Sequence, residues 1–169
     1  MIVRFVLALA LALAIFPAAA AEPTKIAIFD LELVDTSLEK GAALPDQERR
    51  VVLASAELRR LFTEAGRLTL VDLAPQAETL RKREPLRNCN GCDEDIARAL
   101  GADYEVLGLV QKTSNLILSF AVTVKDVRSG QVVRAGQVDI RGNNDEMWLR
   151  GVRWLVKNRL LTEPLPDKS

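Results

Sequence analysis

Hydrophobic and polar residues follow one pattern in the first half of the chain and another in the second half. Residues 25–34 (KIAIFDLELV) are apolar or β-branched with little interruption, which predicts a strand buried on both faces. From Pro45 onward apolar residues recur at steps of three and four, and this spacing predicts a helix that ends at Gly66. A short strand and two short helices are predicted next, at residues 68–73, 75–84 and 93–100.

The second half alternates apolar and polar residues with a period of two, as strands with one buried face do. Asn143 resembles a helix N-cap with Glu146 three residues later, and the helix is predicted to run to about Leu161. The order βαβααβββα predicts an α/β fold, a single layered domain in which helices pack on a mixed β-sheet with a long C-terminal hairpin. The three strands are predicted at residues 104–112, 115–127 and 131–141.

Residues 1–21 have the composition of a secretory signal peptide. Arg4 supplies the charged start, a long apolar run follows, and three alanines ending at Ala21 form a cleavage site of small residues. We expect cleavage near Ala21, which leaves a single domain of residues 22–169 in the periplasm. Glu22 stands where a lipidated cysteine would be, and no later apolar run is long enough to span a membrane. We therefore expect no stable membrane anchor after cleavage.

Composition argues against several classes of function. Arg4 is one of the 23 basic residues, so the chain after the signal has 22 basic residues against 23 acidic ones, a net charge of −1. This balance gives no general attraction for nucleic acid, and we expect no nucleic-acid partner. The chain has no histidine, which excludes Ser-His-Asp triads, HExxH metal sites and haem attachment motifs. We expect no catalytic residue, no cofactor and no metal, and we do not predict an enzyme.

The motif CNGC, at Cys89 and Cys92, has the most evident chemical potential, because a CxxC pair can exchange disulfides, bind a metal or close a turn. The central Asn-Gly favours a turn over a helix, and the acids at residues 93–95 disfavour a thiolate. A single pair also lacks the further ligands of a zinc site. We predict a structural disulfide that fixes the start of the next helix, with a redox-active pair as the alternative.

Polar residues crowd the passage from the last strand into the last helix. One interpretation is local, because such residues cap helices and form pairs four residues apart. The other is a polar surface that binds a protein partner, with Trp154 as an aromatic anchor. Trp154 lies outside the apolar face of the helix, and the sequence leaves open whether it is exposed or covered by a neighbouring segment. The candidate binding residues are Arg141, Asn143, Asn144, Asp145, Arg150 and Trp154.

Three segments, residues 25–37, 88–118 and 133–151, resemble a bacterial family of predicted periplasmic proteins of unknown function. More distantly, the order of elements and the LGADYEVLG strand are similar to a fold group of envelope proteins. This group includes the TolB N-terminal domain, the curli secretion lipoprotein and the outer-membrane lipoprotein that activates penicillin-binding proteins. The resemblance implies a binding or assembly module with a protein partner in the cell envelope. The missing lipidated cysteine is a departure from the lipoproteins of the group.

The sequence thus favours an exported, non-catalytic binding or accessory module that acts in protein–protein interaction or envelope assembly. Two alternatives stay open. One is a thiol–disulfide redox protein that acts through the CNGC pair. The other is a periplasmic sensor of a small ligand in the cleft at the strand ends, for which the sequence contains no phosphate loop or other ligand motif.

Overall fold

The computed structural model describes residues 23–38 and 44–166, so the predicted signal peptide lies outside the described residues. The last α-helix, Asp145–Leu155, continues as a five-residue π-helix, Val156–Leu160, so helical structure ends next to Leu161, the predicted end of the last helix. The described strands are β1 Thr24–Ile28, β2 Glu32–Asp35, β3 Leu68–Leu70, β4 Tyr104–Lys112, β5 Ile117–Asp126 and β6 Val132–Arg141. The described α-helices are α1 Leu44–Glu64, α2 Ala77–Arg83, α3 Cys92–Ala99 and α4 Asp145–Leu155.

The strands form one mixed sheet in the order β3-β1-β4-β5-β6, with β2 also paired to β4. The strands β1, β2 and β3 run parallel to their partners, and β4, β5 and β6 form an antiparallel meander. The mixed α/β sheet with helices packed on it is the predicted fold class. The predicted bounds of β4 are confirmed, and β5 and β6 begin within two residues of their predicted starts.

The first predicted strand is divided in two by residues 29–31, which is a correction to the single strand predicted over residues 25–34. The chain leaves the ladder here because α1 offers other hydrogen-bond partners: Ser55 Oγ accepts from the backbone N–H of Leu31 at 2.9 Å. The Leu31 side chain fills the space above Gly108 on β4. A Cβ at Gly108 would lie 2.4 Å from Leu31 Cδ2, so this close approach requires glycine.

The two faces of the sheet carry separate hydrophobic cores. Ile26 and Ile28 of β1 contribute to the larger core under α1 and α4, whereas Ala27, between them, contributes to the smaller core under α3. Gly151 allows α4 to approach the sheet, since a Cβ there would lie 2.8 Å from Ile140. The predicted core face of the last helix is buried at Trp148, Val152, Leu155, Val156 and Leu160.

Candidate functional site

The passage from β6 into α4 lies beside the first turns of α1. Asp145, the first residue of α4, accepts two hydrogen bonds of 2.8 Å from the Arg49 guanidinium and one of 3.0 Å from Arg50 Nε. The hydrogen bonds from Arg49, and then from Arg50, lower the pKa of Asp145 to about 2. We call Asn143, Asn144, Asp145, Arg49 and Arg50 the junction. The two arginines belong to α1 and were not among the binding residues predicted from the sequence.

Asn143 connects three elements rather than capping α4, which corrects the predicted N-cap. Its Oδ1 accepts from the indole Nε1 of Trp148 at 2.9 Å and from Arg50 at 3.4 Å. The N-cap is Asn144, whose side-chain oxygen accepts from the backbone N–H of Met147 at 3.0 Å. Gly142, with a φ of +103°, turns the chain out of β6. Asn143 lies one residue before the N-cap, and its side chain binds Trp148.

Two exposed apolar residues at the start of β5, Leu116 and Ile117, lie next to the junction, and we call them the apolar tip. Leu116 is 70% exposed and Ile117 is 42% exposed, and Ile117 lies opposite the candidate residue Arg141 on β6. The backbone N–H of Gly142 donates to the Leu116 carbonyl at 3.0 Å, which holds the tip against the end of β6. Leu116 lies inside the strand predicted over residues 115–127, but β5 starts one residue later and leaves this side chain in the preceding turn.

Trp154 lies further along α4, about 14 Å from Asp145 at the helical rise of 1.5 Å per residue. Its side chain is 41% exposed, and the Arg159 guanidinium lies 5.4 Å from the centre of its ring. Arg150 pairs with Glu146 at 2.7 Å and lies between Trp154 and the junction. A shallow groove, here called the α4 groove, is lined by Glu146, Arg150, Arg153, Trp154, Lys157 and Asn158.

A buried carboxylate joins α1 to α4 behind the α4 groove. Glu57 of α1 is 8% exposed, accepts hydrogen bonds of 2.8 and 2.9 Å from Arg60, and also accepts one from Arg153. The hydrogen bonds from Arg60, and then those from Arg153, lower the pKa of Glu57 to about 2 although burial opposes the shift. Arg153 is therefore held in place by a structural ion pair.

Replacing Glu57 with glutamine is expected to remove part of the acid sensitivity of the fold. A carboxylate with a folded-state pKa of about 2 and an ordinary pKa of 4.5 stabilises the fold above pH 4.5, and this contribution disappears as the pH falls toward 2. At neutral pH the free energy of unfolding of the wild type should exceed that of Glu57→Gln by about 3 kcal/mol. Urea unfolding across this pH range measures the difference. Glu78→Gln, on the exposed surface of α2, is the matched control. If the difference in the free energy of unfolding between the wild type and Glu57→Gln stays constant down to pH 2, the lowered pKa of Glu57 is wrong.

Cys89 and Cys92 are joined by a disulfide on the opposite face of the sheet. Asn90 and Gly91 have φ values of +52° and +96°, so they form the predicted turn, and α3 begins at Cys92. Both cysteines pack against the smaller core. The structural role of this disulfide, with redox activity as its alternative, stays a prediction.

Beside the disulfide lies a group of charged residues that was not predicted from the sequence. We call Asp93, Glu94, Glu105 and Lys125 the acidic cluster. Lys125 Nζ lies 2.6 Å from Asp93, 3.1 Å from Glu94 and 3.5 Å from Glu105. Glu105 and Lys125 are direct neighbours across β4 and β5, and Asp93 and Glu94 come from the first turn of α3. The available signal was a pair of opposite charges on two consecutive predicted strands, which can lie side by side when the strands pair.

No helix among the described residues is long and apolar enough to cross a membrane. Several solved structures share this fold. E. coli LpoB has a TM-score of 0.51 and 14% identity over 72% of this chain and 59% of its own. Lipoprotein GNA1162 from Neisseria meningitidis has a TM-score of 0.50 and 16% identity over 73% of this chain and 84% of its own. The LpoB C-terminal domain from Salmonella enterica has a TM-score of 0.46 and 15% identity over 73% of this chain and 87% of its own.

No curated protein sequence matches the chain. A family model does match, and it extends from β1 through the π-helix after α4, over residues 24–160. The match confirms the resemblance to a family of unknown function that the three sequence segments indicated. The chain belongs to the family described as "Protein of unknown function (DUF2380)".

Proposed function

We propose that this protein is an exported, non-catalytic accessory module of the cell envelope that binds a protein partner through the α4 groove and the junction. The observation that carries the proposal is Trp154, a large aromatic side chain held 41% exposed on a helix whose other face is buried in the core. Exposed aromatic and arginine side chains on rigid elements dominate the energetics of protein interfaces. The fold shared with LpoB and with a neisserial lipoprotein supports a role in the envelope.

Charge indicates which kind of partner fits this surface. The acids of the junction and the α4 groove are already paired, Asp145 with Arg49 and Arg50, and Glu146 with Arg150. Three cations, by contrast, have no ion pair with any residue in the described ranges: Arg141, Lys157 and Arg159. The surface therefore presents unbalanced positive charge around Trp154, where Lys157 and Arg159 lie. An acidic protein segment with apolar side chains complements this charge and the apolar tip.

Site-specific photo-crosslinking in cells tests the surface directly. A photoreactive phenylalanine analogue at Trp154 and, separately, at Ile117 is expected to crosslink the same envelope protein. Val132 and Glu78 are the matched control positions, because both are exposed. Val132 lies at the other end of the hairpin from Ile117, and Glu78 lies on α2, on the opposite face of the sheet. Charge reversal at Arg141 and Lys157 together should reduce crosslinking from Trp154 at least tenfold.

Two results would refute this function for the surface. One is equally strong crosslinking of that protein from Val132 or Glu78. The other is the absence of any crosslink from Trp154 and Ile117 when the variants are folded and present in the envelope at wild-type levels. Loss of crosslinking on charge reversal, with unchanged thermal unfolding, would assign the effect to the interface rather than to stability.

A further inference from the structure

Glu105 is a fully buried carboxylate whose charge is poorly compensated. Neither of its oxygens has a hydrogen-bond partner in the described part of the chain. Lys125 Nζ is 3.5 Å from Glu105 Oε1, but this ammonium lies closer to Asp93 and Glu94. Three carboxylates thus share one ammonium, which leaves two formal negative charges in excess. A buried charge that is only partly compensated is strongly unfavourable, and a further cation in the cluster would compensate it.

The ligands of the cluster suit calcium better than magnesium. One carboxylate oxygen from each of Asp93, Glu94 and Glu105 lies within 4.8 Å of the other two, so one calcium ion with bonds of about 2.4 Å can contact all three. Calcium accepts irregular coordination by oxygen ligands, whereas magnesium requires near-ideal octahedral geometry and gives up its water reluctantly. All three ligands are hard oxygen donors, which calcium prefers.

The cluster is open to solvent on one side and fixed on the other. Asp93, Glu94 and Lys125 line a cavity of about 450 Å³ together with Asn90 and Thr123, so that water can complete a coordination shell. The disulfide joins Cys89 to Cys92, which is the first residue of α3 and directly precedes Asp93. Lys125 has a long flexible stem, and turning its ammonium into the cavity would vacate the position between the carboxylates.

We infer that Asp93, Glu94 and Glu105 form a calcium-binding site in which the ion takes the place of the Lys125 ammonium. This site departs from the sequence-based expectation that the protein binds no metal. It lies on the opposite face of the sheet from the α4 groove and does not depend on the proposed function. A calcium ion here would bind α3 to β4 and so tie the disulfide loop to the sheet.

Calorimetric titration of the purified, chelator-treated protein with calcium chloride tests the site. We expect one ion per chain, and at least tenfold weaker binding for Glu105→Gln. Asp95→Asn is the matched control on the same helix, because Asp95 pairs with Arg98 outside the cluster and should bind calcium like the wild type. If Glu105→Gln does not fold, Glu94→Gln replaces it, since Glu94 is partly exposed. Magnesium should bind at least tenfold more weakly than calcium.

The site is refuted by any of three results. The first is no binding heat and no thermal stabilisation at about 10 mM calcium, well above the weakest affinity of extracellular calcium modules, about 10⁻³ M. The second is unchanged calcium binding by the folded Glu105→Gln or Glu94→Gln variant. The third is magnesium binding as tight as calcium binding. Lys125→Met provides an independent measurement, because removal of the competing ammonium should strengthen calcium binding at least tenfold.

Discussion

Trp148→Ala is expected to lower the free energy of unfolding by about 3–5 kcal/mol, which is much of the stability of a domain of this size. Trp148 is fully buried and its ring meets the Phe120 ring edge-on, with centroids 5.4 Å apart and an interplanar angle of 88°. Its indole N–H donates to Asn143 at 2.9 Å. Truncation to alanine therefore creates a cavity between α4 and the sheet and removes the hydrogen bond that holds the junction.

Urea unfolding separates these two losses. Trp148→Phe keeps most of the packing and loses the hydrogen bond, so it should cost about 1–2 kcal/mol. Trp154→Ala is the matched control, because it removes the same side chain from an exposed position on the same helix and should change stability by no more than about 1 kcal/mol. If Trp154→Ala destabilises as much as Trp148→Ala, the assignment of the two tryptophans to core and surface is wrong.

The hairpin strands were predictable because alternation reports directly on which face of a strand is buried. Leu118, Phe120, Val122 and Val124 of β5 are buried as the pattern predicts. The division of the first strand was not predictable, because it depends on the hydrogen bond from Leu31 to Ser55 on a helix that forms later in the chain. A local pattern contains no information on such a distant partner.

The charged residues show the same limit. Lys112 ends β4 and is fully buried, because Asp35 accepts from its ammonium at 3.1 Å and Ser37 at 3.2 Å. A lysine at a strand end is ordinarily read as solvent-exposed. In the junction, Arg49 and Arg50 reach Asp145 only because α1 and α4 lie side by side on one face of the sheet. Helix packing, rather than local spacing, selected these partners.

Lys125→Met is expected to destabilise the protein by about 3–5 kcal/mol when it is measured in the presence of a chelator. The ammonium is the one cation within salt-bridge distance of Asp93, Glu94 or Glu105 among residues 23–38 and 44–166. Methionine keeps the length of the side chain and most of its packing against the sheet. The loss therefore reports the cost of leaving buried carboxylates without their counter-ion rather than the cost of a cavity.

A double-mutant cycle gives this interpretation a second test. Adding Glu105→Gln to Lys125→Met removes one of the uncompensated carboxylates, so the double variant should regain part of the lost stability. Lys82→Met on α2 is the matched control, since Lys82 pairs with Glu78 at the surface and its loss should cost no more than about 0.5 kcal/mol. If Lys125→Met unfolds at the same urea concentration as the wild type, the three carboxylates do not rely on this ammonium. The inferred excess of negative charge beside Glu105 would then be wrong, whether or not calcium binds.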